Sequence, residues 1–224
     1  MGRFDPILSI LPEVQLALFP ELKPTVELGF VLYGGTAIAL RLGHRQSVDF
    51  DFFTDRELDK SQLTKTLAFL AEASVIQESP NGLTFLVVRG GGKEVKLSFF
   101  GTIDTGRVGD PELTNDGCLC VASLDDLLAT KLKVVMQRIE SKDYLDLAAL
   151  IQSGLKLEKG LAASKALYGT LFQPSECLKA LVYFEGGDLS ELSQISRKTL
   201  VDAVTSVGDL AELEILSNNL GLQH

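Results

Sequence analysis

The chain has 224 residues, 46% of them hydrophobic and 23% charged, a balance that supports a packed core and excludes wholesale disorder. Its net charge of −9 gives no general attraction to phosphate backbones and excludes a protein that coats nucleic acid, while leaving room for a local basic site or a small anionic substrate brought in with a metal ion. No apolar run approaches the roughly 20 residues that span a bilayer. Three cysteines, an odd number too small for a disulfide framework, point to a reducing compartment, the cytoplasm.

The opening MGRFDPILSILPEVQ has acidic and proline interruptions and no small-residue cleavage site, so it does not read as a signal peptide. Segment 10–19 is apolar between Pro12 and Pro20 and predicts one short helix. Phe30–Tyr33 is a β run stopped by Gly34-Gly35. Thr36–Gly43 predicts a helix with Thr36 as N-cap and Gly43 as its end. Ser47–Phe53 predicts a strand, and the spacing of Leu63, Leu67 and Leu70 predicts a helix over 58–73. Three strands follow, at 74–78, 83–89 and 94–100, separated by Asn81-Gly82 and by Gly90-Gly91-Gly92 as hairpin turns. On the last of them Glu94, Lys96 and Ser98 share one face, opposite Val95, Leu97 and Phe99.

The texture changes at Ser123. Ser123 as N-cap, with Asp126 in support, opens a helix whose apolar stripe is Leu124, Leu127, Leu128, Leu132 and Val135. A second helix starts at Ser141-Lys142-Asp143 and runs to about Gln152, and the remaining chain stays helical with breaks near Gln173-Pro174 and Gly186-Gly187. The expected class is α+β: a mixed sheet with N-terminal helices over residues 1–121, then a helical region over 122–224 packed on it.

Two constellations carry chemistry. Gly34-Gly35, between a strand and a helix N-terminus, lets backbone approach an anion where free N–H groups and the helix dipole favour phosphate. Its spacing is neither that of a dinucleotide fingerprint nor of a phosphate loop, and a glycine pair at a strand end is commonly a plain turn. Asp49 and Asp51, at i and i+2 of a strand, project from one face while Phe50 and Phe52 take the other. Two like charges that close cost free energy unless a cation lies between them, and their oxygens suit Mg²⁺ or Mn²⁺ bridging to substrate phosphates. The bland reading is an edge strand with one solvated face. Cys118-Leu-Cys120 lacks a second pair or a nearby histidine, so it does not complete a zinc set.

The stretch GGTAIALRLGHRQSVDFDFF resembles the active-site signature of the DNA polymerase β-like nucleotidyltransferases, and more closely that of the AbiEii/AbiGii family of nucleotidyltransferase toxins. A second block supports the resemblance, SLDDLLATK ending at Lys131, then RIESKDYLDL with Arg138, Lys142, Asp143 and Asp146. The resemblance covers about residues 28–152, and the tail from 155 onward carries no motif. It implies a nucleotidyltransferase core with Asp49 and Asp51 holding the metal, and Gly34, Gly35 and Thr36 cradling the triphosphate of an NTP. It also implies that Lys131 and Asp146 are catalytic, substrate-side groups, with Lys142 and Asp143 beside them. The acceptor it implies is tRNA or a protein, and the partner is a cognate antitoxin. From spacing alone, Lys142 and Asp146 share a helix face with Asp143 beside it, and the bland reading is intrahelical ion pairing on a solvated surface. Arg41 and Arg45 are candidates to lie near the triphosphate, with surface placement as the equal alternative, and His44 falls at a helix end without catalytic duty.

One position departs from the pattern. The superfamily takes a third carboxylate from a later strand, and the aligned position here is Ser98. Glu94 shares that face but lies roughly 13 Å along the strand, and Asp104 serves only if the chain turns back. The open alternatives are a one-metal enzyme, a relocated base, or a degenerate member that binds a nucleotide or partner without transfer. A further alternative is a small-molecule nucleotidyltransferase of the aminoglycoside-modifying type, whose cationic acceptor suits the acidic balance.

Overall fold

The computed structural model describes residues 2–89 and 92–221. Its contacts divide the chain into two units: one holds the chain up to Gly106, Asp110–Ser123 and everything from Ser217 onward, the other Arg107–Gly109 and Leu124–Leu216. The change of unit thus falls at Ser123/Leu124, and the chain re-enters the first unit near its end, where the Leu220 amide donates to the Asp55 carboxylate at 3.1 Å. A division into 1–121 and 122–224 does not contain that return, because nothing in the local pattern of 217–221 marks a tertiary contact.

The first unit is built on an eight-stranded mixed sheet. In chain order its strands are β1 (Arg3–Phe4), β2 (Val31–Tyr33), β3 (Asp49–Phe53), β4 (Ser74–Ser79), β5 (Gly82–Arg89), β6 (Lys93–Phe100), β7 (Glu112–Thr114) and β8 (Cys120–Val121). Their spatial order is β1-β7-β8-β2-β3-β6-β5-β4. Short helices α1 (Glu13–Leu18) and α2 (Pro24–Glu27), then α3 (Gly34–Leu42) and α4 (Lys60–Thr66), complete it. This is the expected α+β class; β1, β7 and β8, of two or three residues each, are too short to leave an alternation in the sequence. The first two residues of the expected Gly90-Gly91-Gly92 turn lie outside the described residues.

Two helix expectations shift. The helix after the glycine pair begins at Gly34, not Thr36; Tyr33 is its N-cap, and Thr36 sits buried inside the first turn. Its end is as expected, with Gly43 left-handed at φ +64°. The helix expected over 58–73 stops at Thr66. Leu67 leaves helical geometry at ψ 78°, and a 3₁₀ turn over Ala68–Glu72 buries Phe69 and Leu70. The start of that helix is Lys60, two residues after the expected one, where the Asp59 carboxylate accepts from the Gln62 amide at 2.8 Å.

The centre of the sheet is where sequence and packing agree most directly. β3 alternates strictly, with Phe50 and Phe52 fully buried and Asp49, Asp51 and Phe53 half-buried on the other face. Phe52 stacks on Phe99 of β6 at 5.2 Å between ring centroids, and Phe30 meets Phe99 edge-on at 5.3 Å. β3 pairs with β6 in parallel and with β2 antiparallel, so the aromatic core fixes the register of all three.

The second unit is helical among its described residues: α5 (Leu124–Val134), α6 (Ser141–Gln152), α7 (Leu157–Tyr168), α8 (Pro174–Val182) and α9 (Gln194–Thr205). α5 packs on α6 and α7, and α9 on α6 and α8. Gly160 of α7 allows close approach: a Cβ there would lie 2.5 Å from the Leu128 side chain. Asp126 does more than support a helix start. Its buried carboxylate accepts from the amides of Val108 and Gly109 at 2.8 and 3.1 Å, fastening that outlying segment to α5.

Phe52→Ala is expected to cost about 3–5 kcal/mol, as for other fully buried aromatics, whereas Phe53→Ala, half-buried, costs less; urea unfolding of the two variants checks the order.

Candidate active site

Each unit holds one cluster of acidic side chains. In the sheet unit the glycine turn and the β3 aspartates come together. Gly34 has φ +76°, and a Cβ on it would lie 2.7 Å from an Asp51 carboxylate oxygen. A side chain is therefore excluded twice, by backbone conformation and by Asp51. A Cβ on Gly35 would run into the Arg45 guanidinium and would lie 3.1 Å from the Ser47 hydroxyl. The N-terminus of the nine-residue helix α3 thus lies next to a carboxylate on one side and a guanidinium on the other. The Thr36 hydroxyl, fully buried, donates to the Asp49 carbonyl and ties α3 to β3.

The partners of the aspartates come from β6. Parallel pairing sets Asp49 against Lys96 and Asp51 against Ser98, and Tyr33 of β2 faces Asp51 from the other side. Lys96 Nζ lies 3.0 Å from Asp49 Oδ2, in an ion pair with both side chains 30–40% exposed. Ser98, as aligned from the sequence, is the neighbour of Asp51 and is buried; Glu94 is exposed beyond it, opposite Val88, and Asp104 is exposed in the following loop.

Arg41 has a structural occupation. Its guanidinium, 7% exposed, pairs with Glu112 at 2.6 Å, donates to the carbonyls of Val121 and Ala122, and lies over the Phe4 ring at 4.2 Å. It fastens α3 to the short strands at the sheet's edge. Arg45, weighed equally in the sequence, is the arginine placed at the glycine turn.

In the helical unit, Lys131 of α5 lies 2.6 Å from Asp143 and 2.7 Å from Asp146 of α6, with all three side chains at most 7% exposed. Arg138 closes the cluster with two donations to Asp143, at 2.8 and 3.1 Å. Burial pushes the Asp143 carboxyl up, but hydrogen bonds and charge from Arg138 and Lys131 outweigh it and hold the group below its ordinary value. Lys142 is not part of this cluster: it pairs with Glu140 at 2.8 Å and is about half exposed. Asp143 and Asp146, spaced i and i+3 on α6, both turn to Lys131, while Lys142, one helical turn before Asp146, runs its side chain out to Glu140. The ion pairs are interhelical and buried, not the solvated intrahelical pairs of the bland reading. The N-terminus of α6 is held from a distance by Asp188, which accepts from the Ser141 amide and hydroxyl at 2.6 and 2.7 Å.

Cys118, Cys120 and Cys177 are free and buried, and burial pushes the Cys177 thiol up to about 12. Among the described residues no group of three or more His, Cys, Asp or Glu side chains is arranged to hold a metal ion. The Asp49/Asp51 pair still fits a hard divalent ion of the kind that uses one or two carboxylates and fills its shell with water and substrate phosphate.

Comparison with known proteins assigns the chain. The family described as "Nucleotidyl transferase AbiEii toxin, Type IV TA system" matches residues 18–205. The chain belongs to this family. An uncharacterized protein of Aquifex aeolicus (strain VF5) is 33% identical over 171 residues, 73% of this chain and 80% of its own length. Among solved structures, MenT4, a nucleotidyltransferase toxin from Mycobacterium tuberculosis H37Rv, superposes with a TM-score of 0.58 at 14% identity, covering 90% of this chain and 84% of that one, a likeness of fold. The family match extends past the motifs at 28–152 into the tail from 155 onward, which carried none. No helix among the described residues is long and apolar enough to cross a membrane.

Lys131→Met removes the cation that both buried carboxylates share, leaving Arg138 on Asp143, and is expected to cost about 3–5 kcal/mol, whereas Lys142→Ala, at an exposed pair, changes stability by under about 1 kcal/mol. The lowered Asp143 carboxyl stabilises the fold fully above the ordinary aspartate value of about 3.9. That contribution is lost as pH falls through the lower folded value, so acid unfolding of the wild type should steepen below about pH 4. Chemical denaturation of these variants from pH 7 to pH 2 tests both statements.

Proposed function

We propose that the protein is a metal-dependent nucleotidyltransferase toxin that transfers a nucleotide from an NTP to an acceptor hydroxyl, with tRNA or a protein side chain as the acceptor class. The observation that carries this reading is the meeting of Asp51 with the Gly34-Gly35 turn at the start of α3. A carboxylate pair for a divalent ion and a helix N-terminus for phosphate lie side by side.

In this reading the N–H groups of the first turn of α3, with Gly34 and Gly35 bare of side chains, receive the triphosphate, and Arg45 adds positive charge at the same turn. Thr36 holds α3 against β3 through the Asp49 carbonyl, so its part is to position the cradle. Asp49 and Asp51 would hold Mg²⁺ or Mn²⁺, which when bound neutralises phosphate charge as the α-phosphorus is attacked. The acceptor oxygen forms a bond to that phosphorus, the bond to the β-phosphate oxygen breaks, pyrophosphate departs with the electron pair, and the hydroxyl proton passes to a base. Lys131 and Asp146 are the proposed substrate-side pair of the helical unit, with Asp143 and Arg138 fixing Lys131 in place. The family supports a cognate antitoxin as partner, and three buried, reduced cysteines accord with the cytoplasm.

Incubation with each labelled NTP, Mg²⁺ and total RNA or protein extract should label an acceptor. Asp51→Asn should lower that labelling by at least about 100-fold, and Gly34→Ala should weaken NTP binding in calorimetry while the fold survives. Absence of labelling with all four NTPs, while the wild type is folded, overturns the proposal.

A further inference from the structure

The first turn of α6 is fixed by a segment 47 residues further along the chain. Its N-cap, Glu140, has extended backbone but makes no capping hydrogen bond with its side chain, which instead pairs with Lys142 at 2.8 Å. The acid at the third helical position, which in a capping box reaches back to the helix start, is Asp143, and both its oxygens are committed to Lys131 and Arg138. Asp188 supplies what is missing. One of its carboxylate oxygens accepts from the Ser141 amide at 2.6 Å and the other from the Ser141 hydroxyl at 2.7 Å. The hydroxyl, then the amide, hold the Asp188 carboxyl below its ordinary value, so an exposed carboxylate stands at the positive end of the helix. The segment that carries Asp188 is itself fixed. Gly186 and Gly187 have φ +99° and +51°, and a Cβ on Gly187 would run into the Ile139 carbonyl oxygen, so backbone lies directly against backbone. Leu189 is fully buried, and Arg197 of α9 donates to the carbonyls of Leu189, Ser190 and Leu192 at 2.9–3.2 Å. Phe184 meets Tyr144 of α6 edge-on at 6.5 Å. Thus α9 holds the loop, and the loop holds the start of α6 at Ser141 and Tyr144.

We propose, building on the nucleotidyltransferase reading, that Asp188 is a positioning residue for the Lys131–Asp146 pair: by capping α6 at Ser141 it sets the helix start so that Asp143 and Asp146 converge on the Lys131 ammonium. Asp143 lies in the first turn of α6 and Asp146 in the next, so both move with the turn that Asp188 holds. Their contacts with Lys131, at 2.6 and 2.7 Å, are at the short end of charge-assisted hydrogen bonds. A displacement of that turn by about 1 Å carries the carboxylates out of hydrogen-bond range of the ammonium. Asp188 is exposed while the cluster is buried, so its removal leaves neither a cavity nor a buried unpaired charge of its own. Its effect is transmitted through Ser141.

In the full chain, the Asp143 carboxyl is titrated by carbon NMR and the Lys131 ammonium followed through its Nζ signal, beside thermal melts that confirm folding. Asp188→Ala should raise the Asp143 titration by about one pH unit or more as its cations draw away, and the Lys131 signal should broaden by exchange with water. Loss of the Asp188 charge alone acts in the opposite sense and lowers the Asp143 titration. A role confined to stability lowers the melt and leaves the titration in place. Asp188→Asn, which keeps an acceptor for the Ser141 amide, should restore most of the wild-type titration. Ser141→Ala, a milder change that removes one of the two donors, should shift it in the same direction as Asp188→Ala. In nucleotide transfer, Asp188→Ala should lower kcat by about 10- to 100-fold with KM for the NTP unchanged, since the proposed triphosphate cradle is on α3. An unchanged Asp143 titration in folded Asp188→Ala overturns the proposal, and a shifted titration with unchanged kcat overturns the part played in the reaction. A folded wild type that transfers no nucleotide, with the titration shifting as expected, overturns the transferase reading and leaves the hold of Asp188 on the cluster intact.

Discussion

Parallel pairing of β3 with β6 is the constraint on which the sheet's chemistry depends. It is enforced from the core side, where Phe52 stacks on Phe99 and Phe50 is fully buried. A slip of one residue would turn both phenylalanines out of the core and both aspartates into it. Each buried ring contributes on the order of 1.5–3 kcal/mol of hydrophobic stabilisation, and a carboxylate moved inside unpaired costs still more. The register is thus held by the face that does no chemistry. On the opposite face it sets which β6 side chain lies beside each aspartate.

The two acidic groups are stabilised in different ways, and the difference bears on what each can do. Asp143 and Asp146 are buried, and such charges persist only with partners in good geometry. Lys131 and Arg138 supply them at 2.6–2.8 Å, Asp143 being held by both and Asp146 by Lys131. That cluster is balanced and rigid. Asp49 is part-exposed with Lys96 as a partly exposed partner, and Asp51 lies next to Gly34 at the start of α3.

Much of this was legible in the sequence, for identifiable reasons. The alternation of DFDFF is a period-2 signal with strong contrast, so the strand, its faces and the carboxylate pair were all readable. Gly34-Gly35 marked the turn, although the helix begins three residues earlier than a capping argument suggests, because Tyr33 and not Thr36 stands at its N-cap. The roles of the long cations were not legible. Arg41 and Arg45 are four residues apart on or just past one helix, yet one is bound to Glu112 and two carbonyls, and the other sits at the glycine turn. Lys131, Arg138 and Lys142 all lie in the second block, and only their tertiary partners separate the two that enter the buried cluster from the one that faces out. Such side chains reach several ångströms from their backbone, and local periodicity does not record where they end.

Ser98 shows the same limit from the other side. Judged alone in sequence it reads as a loss, since a hydroxyl is a poor base and a weak ligand beside Asp51. In the sheet it has a neighbour two residues back, Lys96, whose ammonium lies beside the companion aspartate, so β6 presents a hydroxyl and an ammonium to the two carboxylates. A strand places i and i+2 on one face, so a change at one position is compensated most directly at the other. The place of Lys96 and Ser98 beside the aspartates is therefore readable only through the register that sets β6 against β3.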